Sequence, residues 1–290
     1  MSNRRTFLTQ AGILSAGMAL APQLLMAKGK GPIGLQLYSL RQYLPKDPKG
    51  VIAKVAQAGY KEVETYGYSK QNGFWGLNAK DFSALLKDNG LTTPSGHYGL
   101  NEFFGTGKTE ELDSYIEAAN ATGQSHVIVP SINHEFIKTK ADFQSVAEKL
   151  NKAAEICKAG GVKVGYHNHN FEWKETEGTT FYDTIIDGTD AKLVTMELDL
   201  YWVVRAGFDP IAFFKKHPGR FEFVHVKDMA KTQHELNTEI GSGAIDFKTI
   251  LGQAKLAGIK HFIVEQENFS IDPYQSIAQS SAYLKNTLHL

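Results

Sequence analysis

This sequence lacks the features that announce several common protein classes. It holds one cysteine, Cys157, so no intramolecular disulfide forms. With no CxxC spacing and no base partner in local sequence, that thiol reads as a small buried hydrophobe. The chain also lacks net charge: 31 Lys and Arg balance 31 Asp and Glu over 290 residues, which removes the basic footprint of a nucleic-acid binder. No tract is dense in Pro, Gly and Ser, and 42% hydrophobic with 11% aromatic residues is enough material for a large core. Neither GxGxxG nor a P-loop occurs, and where a dinucleotide fold wants a Gly-rich turn after its first strand the chain reads Tyr38-Ser39-Leu40-Arg41. Long apolar runs are missing too. The stretch from Ala11 to Met26 is interrupted by Ser15, Pro22 and Gln23 and falls short of the roughly 20 residues of a membrane span.

That stretch follows Asn3-Arg4-Arg5-Thr6-Phe7-Leu8, a charged segment ahead of an apolar one. The adjacent arginines followed by Phe7 and Leu8 resemble a twin-arginine export signal. Residues 1–27 are therefore expected to be a signal peptide cleaved after Ala27, with the mature chain in the periplasm. An uncleaved N-terminal extension is the alternative. Export of this kind carries folded proteins, which suits a protein that must take up its metal beforehand.

From Gly31 onward, β-branched runs alternate with amphipathic stretches every 30 to 40 residues. The runs predict eight strands: Ile33–Ser39, Glu62–Tyr66, Thr92–His97, His126–Val129, Lys163–His167, Leu193–Asp199, Phe221–Lys227 and His261–Gln266. Helical patterns lie at Pro48–Ala58, Ala79–Asn89, Thr109–Thr122, Lys140–Ala159 and Phe247–Ala257. Gly59, Gly90, Gly123, Gly160 and Gly258 follow them, as left-handed helix ends require. Asp81, Asp209 and Asp246 are placed to cap or begin helices. Eight βα units over residues 31–290, with no shift in composition, predict a single-domain (β/α)8 TIM barrel, with an open doubly wound sheet as the alternative.

Chemistry in such a barrel sits at the C-terminal strand ends. Here those ends read Gln36/Tyr38, Glu64, His97, Pro130, His167/His169, Asp199, His225/Lys227 and Glu265/Glu267. Four consecutive strands finish in groups able to bind a metal: His167, Asp199, His225 and Glu265. Mixed nitrogen and oxygen donors suit a hard or borderline divalent ion. Residues two apart share a face, so Lys227 lies above His225, Glu197 lies one layer below Asp199, and His169 competes with His167 as the ligand. His126, His134, His217, His234, His261 and His289 fall on loops, helices or strand starts and read as structural or solvated.

Taken together, Leu35-Gln36-Leu37-Tyr38-Ser39-Leu40-Arg41, Tyr166-His167-Asn168-His169-Asn170-Phe171-Glu172, Glu197-Leu198-Asp199-Leu200-Tyr201-Trp202, His225-Val226-Lys227-Asp228 and Val264-Glu265-Gln266-Glu267 resemble the xylose isomerase-like, or sugar phosphate isomerase/epimerase, barrels. The resemblance implies one divalent ion on His167, Asp199, His225 and Glu265. Many relatives place Glu where His167 stands, and the loss of that carboxylate turns the preference from Mg towards Mn, Co or Zn. It implies metal-assisted proton transfer next to a carbonyl, with Glu265 as base and Glu172, His169 and Lys227 as further acid/base or oxyanion groups. For Lys227 the alternative is a salt bridge with Asp199 or Glu197. His97, Glu64, Tyr38 and Trp202 are candidate substrate ligands, with Phe171 also able to line a sugar face. The expected activity is sugar isomerisation or epimerisation on a keto-sugar. A lyase or dehydratase acting on a 3-keto-glycoside or similar keto-sugar and a non-catalytic exported sugar-binding barrel stay open, while a DNA-repair nuclease would want more metal ligands and a basic surface. The expected partner is a small carbohydrate, with no nucleic acid and no stable membrane insertion.

Overall fold

Each of the eight β-rich runs becomes one strand of a closed parallel barrel. The structure is a computed structural model and describes residues 31–290; the expected signal peptide lies outside the described residues. The barrel strands are β1 (Ile33–Gln36), β2 (Glu62–Thr65), β3 (Thr92–His97), β4 (His126–Val129), β5 (Lys163–His167), β6 (Val194–Asp199), β7 (Phe223–Val226) and β8 (His261–Val264). Each pairs with its neighbour in sequence and β8 pairs with β1, so the barrel has no free edge. The first strand stops earlier than its apolar pattern suggests. The Gln36 side chain accepts the Tyr38 N–H at 3.0 Å and turns the chain into a short 3-10 segment, Leu37–Leu40.

Helices surround the barrel in the expected alternation. They are α1 (Pro48–Gln57), α2 (Ala79–Asp88), α3 (Asn101–Thr106), α4 (Glu110–Thr122), α5 (Lys140–Ala159), α6 (Phe181–Gly188), α7 (Leu200–Arg205), α8 (Pro210–Lys216), α9 (Phe247–Leu251), α10 (Ala254–Ala257) and α11 (Pro273–Asn286). Three local expectations are corrected. The helix expected over Phe247–Ala257 is two, broken at Gly252-Gln253, where glycine favours the helix least of all residues but proline. The left-handed residue after α5 is Gly161 at φ +85°, and Gly160 stays right-handed at φ −84°. Asp81 lies inside the first turn of α2, whose cap is Asn78, its Oδ1 accepting the Asp81 N–H at 2.9 Å; Asp209 and Asp246 do cap α8 and α9.

Two layers of packing result. Between strands and helices lies an apolar shell that includes Leu35, Val63, Val127, Val164, Met196, Leu198, Val224 and Phe262, and Cys157 is buried in it as expected. Few apolar side chains fill the barrel interior. Gly34 and Gly165 face it: a β-carbon at Gly34 would meet Ile263 Cδ1 at 2.5 Å, and one at Gly165 would meet Ile128 Cδ1 at 2.3 Å. At the N-terminal mouth Phe223 stacks on His261 at 4.5 Å and meets His126 edge-on at 4.8 Å. There His261 Nδ1 lies 2.8 Å from Glu62 Oε2 and His126 Nδ1 lies 2.8 Å from Ser125 Oγ, so both histidines are held within the packing of that mouth. The C-terminal half of the interior is polar. No helix among the described residues is long and apolar enough to cross a membrane.

Candidate active site

The strand ends place their side chains by parity, and the tight turn after β6 fixes the centre. Asp199 closes β6 and caps α7 with no loop between, its Oδ1 accepting the N–H groups of Tyr201 at 2.9 Å and Trp202 at 3.2 Å. Its own N–H donates to Asn168 Oδ1 at 3.0 Å. The other oxygen, Oδ2, is buried with no hydrogen-bond partner. Across from it stand His225 and Glu265: His225 Nδ1 lies 3.3 Å from Glu265 Oε2 and 3.9 Å from Asp199 Oδ2. The ligand atoms of Asp199, His225 and Glu265 all fall within 4.8 Å of one another, close enough to share one ion. His167 approaches from β5, its Nε2 4.0 Å from Asp199 Oδ2, but it gathers with a different set.

That second set lies one layer deeper and joins His97, His167, Glu197 and His225. Glu197 Oε2 is 2.8 Å from His97 Nε2, 3.0 Å from His167 Nδ1 and 3.3 Å from His225 Nε2. Glu64 adds a fifth member, 3.0 Å from His97 Nε2 and 2.7 Å from His225 Nε2. It is fixed by Gln36 Nε2, which donates at 2.7 Å to the same Oε2 that faces the two histidines, and by Ser95 Oγ, which donates to Oε1 at 2.6 Å. Sequence parity put Glu197 beneath Asp199, but nothing local showed that His97, a hundred residues away, would meet it. Only barrel closure brings strands three and six face to face.

Burial and charge set the protonation of this polar interior. Burial pushes the Asp199 carboxyl up to about 7, and burial with the charge of Glu64 does the same for Glu197. Burial also works against ionised Glu64, yet His97 and His225 outweigh it and hold that carboxyl well below the usual range. His97 is lifted to about 10, because Glu64 and Glu197 overcome its desolvation, and His225 rises for the same kind of reason. His167 goes the other way, kept neutral by burial and by the cationic groups beside it.

Above this layer opens a pocket of about 440 Å³ lined by Tyr38, Tyr66, Gly67, His97, Gly99, Pro130, Ser131, His167, His169, Glu265 and Glu267. Among the expected substrate ligands, His97 and Tyr38 line it. Glu64 and Trp202 do not: Glu64 is buried beneath the histidines, and the Trp202 ring backs His169 at 5.5 Å. Phe171 lies beside His169 in a separate cavity with His134. Lys227 Nζ donates to Glu265 Oε2 at 3.1 Å and to Glu267 Oε1, so its ion pairs are with these two residues and not with Asp199 or Glu197. Burial disfavours its charge, but the surrounding carboxylates hold its pKa above the usual lysine value. Burial likewise opposes the charge on Glu265, yet Lys227 and His225 keep that carboxyl far below its usual value.

Two residues after β5 differ in what they reach. His169 lines the pocket, its Nδ1 is buried without a partner, and burial lowers it to about 4, leaving it neutral near pH 7. Glu172 is fully buried outside the pocket lining. It accepts from the Tyr166 hydroxyl and the His169 N–H, each at 3.0 Å, and burial pushes it up to about 7. It therefore anchors the turn that carries His169.

Comparison with known proteins agrees with this fold. The sequence matches the xylose isomerase-like TIM barrel family over residues 52–287. An inosose dehydratase of Clostridium perfringens is 26% identical over 186 residues, 58% of this chain and 62% of the relative, so the chain spans about three fifths of that dehydratase's length. A sugar phosphate isomerase/epimerase from Parabacteroides distasonis superposes with a TM-score of 0.78 and 29% identity, covering 91% of this chain and 96% of that one. An L-ribulose 3-epimerase, 16% identical with a TM-score of 0.69 over 89% of this chain and 94% of its own, shares the fold.

Proposed function

Because the chain belongs to the xylose isomerase-like TIM-barrel family, we propose that it is a divalent-metal-dependent isomerase or epimerase moving a proton next to the carbonyl of a keto-sugar. The observation that carries this reading is the group Asp199, His225 and Glu265 beneath the pocket, with Asp199 Oδ2 buried and unpartnered. A buried carboxylate oxygen with no donor is costly unless a cation satisfies it, so the residues present fit an ion. Asp199, His225 and Glu265 would hold it, with His167 or His169 alongside, and this nitrogen and oxygen set favours Mn, Co or Zn over Mg. A bound divalent ion would supply Lewis acidity to adjacent carbonyl and hydroxyl oxygens.

The chain's own groups would move the proton. Glu265 is ionised and lines the pocket from β8, while His169 is neutral and lines it from the turn after β5. With β6 and β7 between the strands that carry them, these carriers reach one pocket from different parts of the barrel rim. Proton removal on one face of the sugar and return on the other needs such an arrangement. Lys227, held by Glu265 and Glu267, keeps a positive charge beside the base, where negative charge on the substrate oxygen would be stabilised. Tyr38 and His97 would orient the substrate hydroxyls. Export under Arg4-Arg5 to the periplasm belongs to the same proposal.

A second reading, dehydration of a keto-sugar or keto-polyol, is favoured by the relatives named inosose dehydratase. Proton abstraction is common to both. The test is incubation of metal-loaded protein with keto-sugars and 3-keto-glycosides in D₂O, followed by mass spectrometry. Deuterium beside the carbonyl with an epimer or isomer formed supports the first reading, and loss of water supports the second. Sugar binding without exchange would leave a binding barrel and refute both.

A further inference from the structure

We propose that Glu64 and Glu197 are positioning residues that lock the tautomers of His225 and His167, so that each imidazole turns one chosen nitrogen towards the ion. The inference rests on the metal reading above. The two histidines each face carboxylates on both sides. His225 presents Nε2 inward to Glu64 at 2.7 Å and Glu197 at 3.3 Å, and Nδ1 outward to Glu265 and Asp199. His167 presents Nδ1 inward to Glu197 at 3.0 Å and Nε2 outward to Asp199 at 4.0 Å.

The inner and outer carboxylates are not equivalent. Glu64 cannot swing towards the pocket, because Gln36 holds its Oε2 and Ser95 its Oε1 while His97 and His225 crowd the same end. An inward nitrogen facing only such acceptors keeps its proton, since a lone pair pointed at a carboxylate oxygen is repelled. Outward, Asp199 Oδ2 has no donor and Glu265 reaches the pocket, so a cation can replace the outward proton there; inward, Glu197 Oε1 is donorless too, but its Oε2 already faces three imidazoles. The assignment follows: His225 ligates through Nδ1 and His167 through Nε2, each donating its other N–H to a buried carboxylate. Such an outer partner fixes ring orientation and raises ligand basicity. His97, between Glu64 and Glu197, supplies the positive charge that lets two carboxylates share one small space.

The test measures ion binding directly. Metal-free protein is titrated with Zn²⁺ and Mn²⁺ by calorimetry, and zinc-loaded protein with ¹⁵N-labelled histidine is read by NMR. The wild type should bind one ion per chain, with His225 metal-bound at Nδ1 and protonated at Nε2. Glu64→Leu should weaken affinity about 10–100-fold, the usual cost of losing an outer partner, and Glu64→Gln, which keeps an acceptor oxygen, should weaken it less. Glu197→Leu gives an independent arm through His167, and circular dichroism confirms that each variant is folded. Unchanged affinity in folded Glu64→Leu and Glu197→Leu, or an Nε2-bound His225, overturns the inference while the metal reading stands. Two ions per wild-type chain, one lost in Glu197→Leu, would also overturn it by making the inner cluster a second cation site. No ion bound by the wild type would defeat the metal reading itself.

Discussion

Asp199 holds a helix with one oxygen and faces the proposed ion site with the other, so replacing it by Asn and by Ala separates the two roles. Asn keeps an oxygen for the Tyr201 and Trp202 N–H groups but loses the charge that Oδ2 would bring to an ion. Ala loses both. Asn caps a helix about as well as Asp, whereas Ala costs about 1 kcal/mol, within a range of roughly 0.5–2. For a chain of this size that is a fall in Tm of roughly 2–4 °C. An ion held at a hundred times its Kd adds about 2.7 kcal/mol, or on the order of 5–11 °C. Metal-free Asp199→Asn should therefore melt no lower than the wild type and Asp199→Ala a few degrees lower, while neither gains the ion-dependent rise. The metal-free comparison also has a pH signature. Burial holds the native carboxyl at about 7, above the unfolded value of roughly 4, so the native state binds the extra proton and wild-type stability falls as pH rises through that window. Asp199→Asn loses that residue's share of the slope and keeps the shares of Glu172 and Glu197, whose carboxyls burial also pushes up to about 7. Thermal melts in EDTA and in excess Mn²⁺, at pH 5 and pH 8, read all of this. If Asp199→Asn keeps the full wild-type rise with Mn²⁺, Asp199 is a capping residue and not a ligand.

Glu265→Gln should retain partial metal occupancy while exchange of the substrate C–H in D₂O falls by roughly 10²–10⁴-fold. Wild-type exchange in that variant alongside loss in His169→Ala would make His169 the base. Replacing Arg4 and Arg5 together by Lys should trap the precursor in the cytoplasm, and unimpaired export, read by fractionation and N-terminal sequencing, would refute the signal. At the opposite mouth, His126 with its Nε2 3.5 Å away, together with Lys260 and Lys163, holds the Glu222 carboxyl well below its usual value against partial burial. The unfolded chain then takes up a proton first on acidification, so stability present above about pH 4 is lost as pH falls. Glu222→Gln should flatten that acid limb in urea titrations between pH 3 and 6, and an unchanged limb would mean the ion pairs are screened.

The strands were legible because their β-branched runs are short and bounded by turn residues; all eight lie where the pattern put them. Helix ends were less so, as Gly160 and Gly161 are indistinguishable in sequence and only packing selects the second for the left-handed position. At the site, alternation told which residues share a face, which placed Asp199, His225 and Glu265 together. It carried no information on depth or on partners across the barrel. Spacing makes Glu64 a candidate substrate ligand, yet it is sealed beneath His97 and His225, and the salt-bridge alternative for Lys227 points to Asp199 or Glu197, yet its partners are Glu265 and Glu267 just past β8. Those relations depend on barrel closure and on strand stagger, which residue spacing along one strand does not encode.

The direct passage from β6 into α7 limits where this barrel can diversify. An insertion between Asp199 and Leu200 would move the cap away from the Tyr201 and Trp202 N–H groups and the free oxygen away from His225, so that rim position tolerates no growth. The connections at residues 66–78 and 227–246 are longer and contain none of Asp199, His225 and Glu265. Changes in rim length are therefore expected at those connections, while the strand-six turn keeps its length.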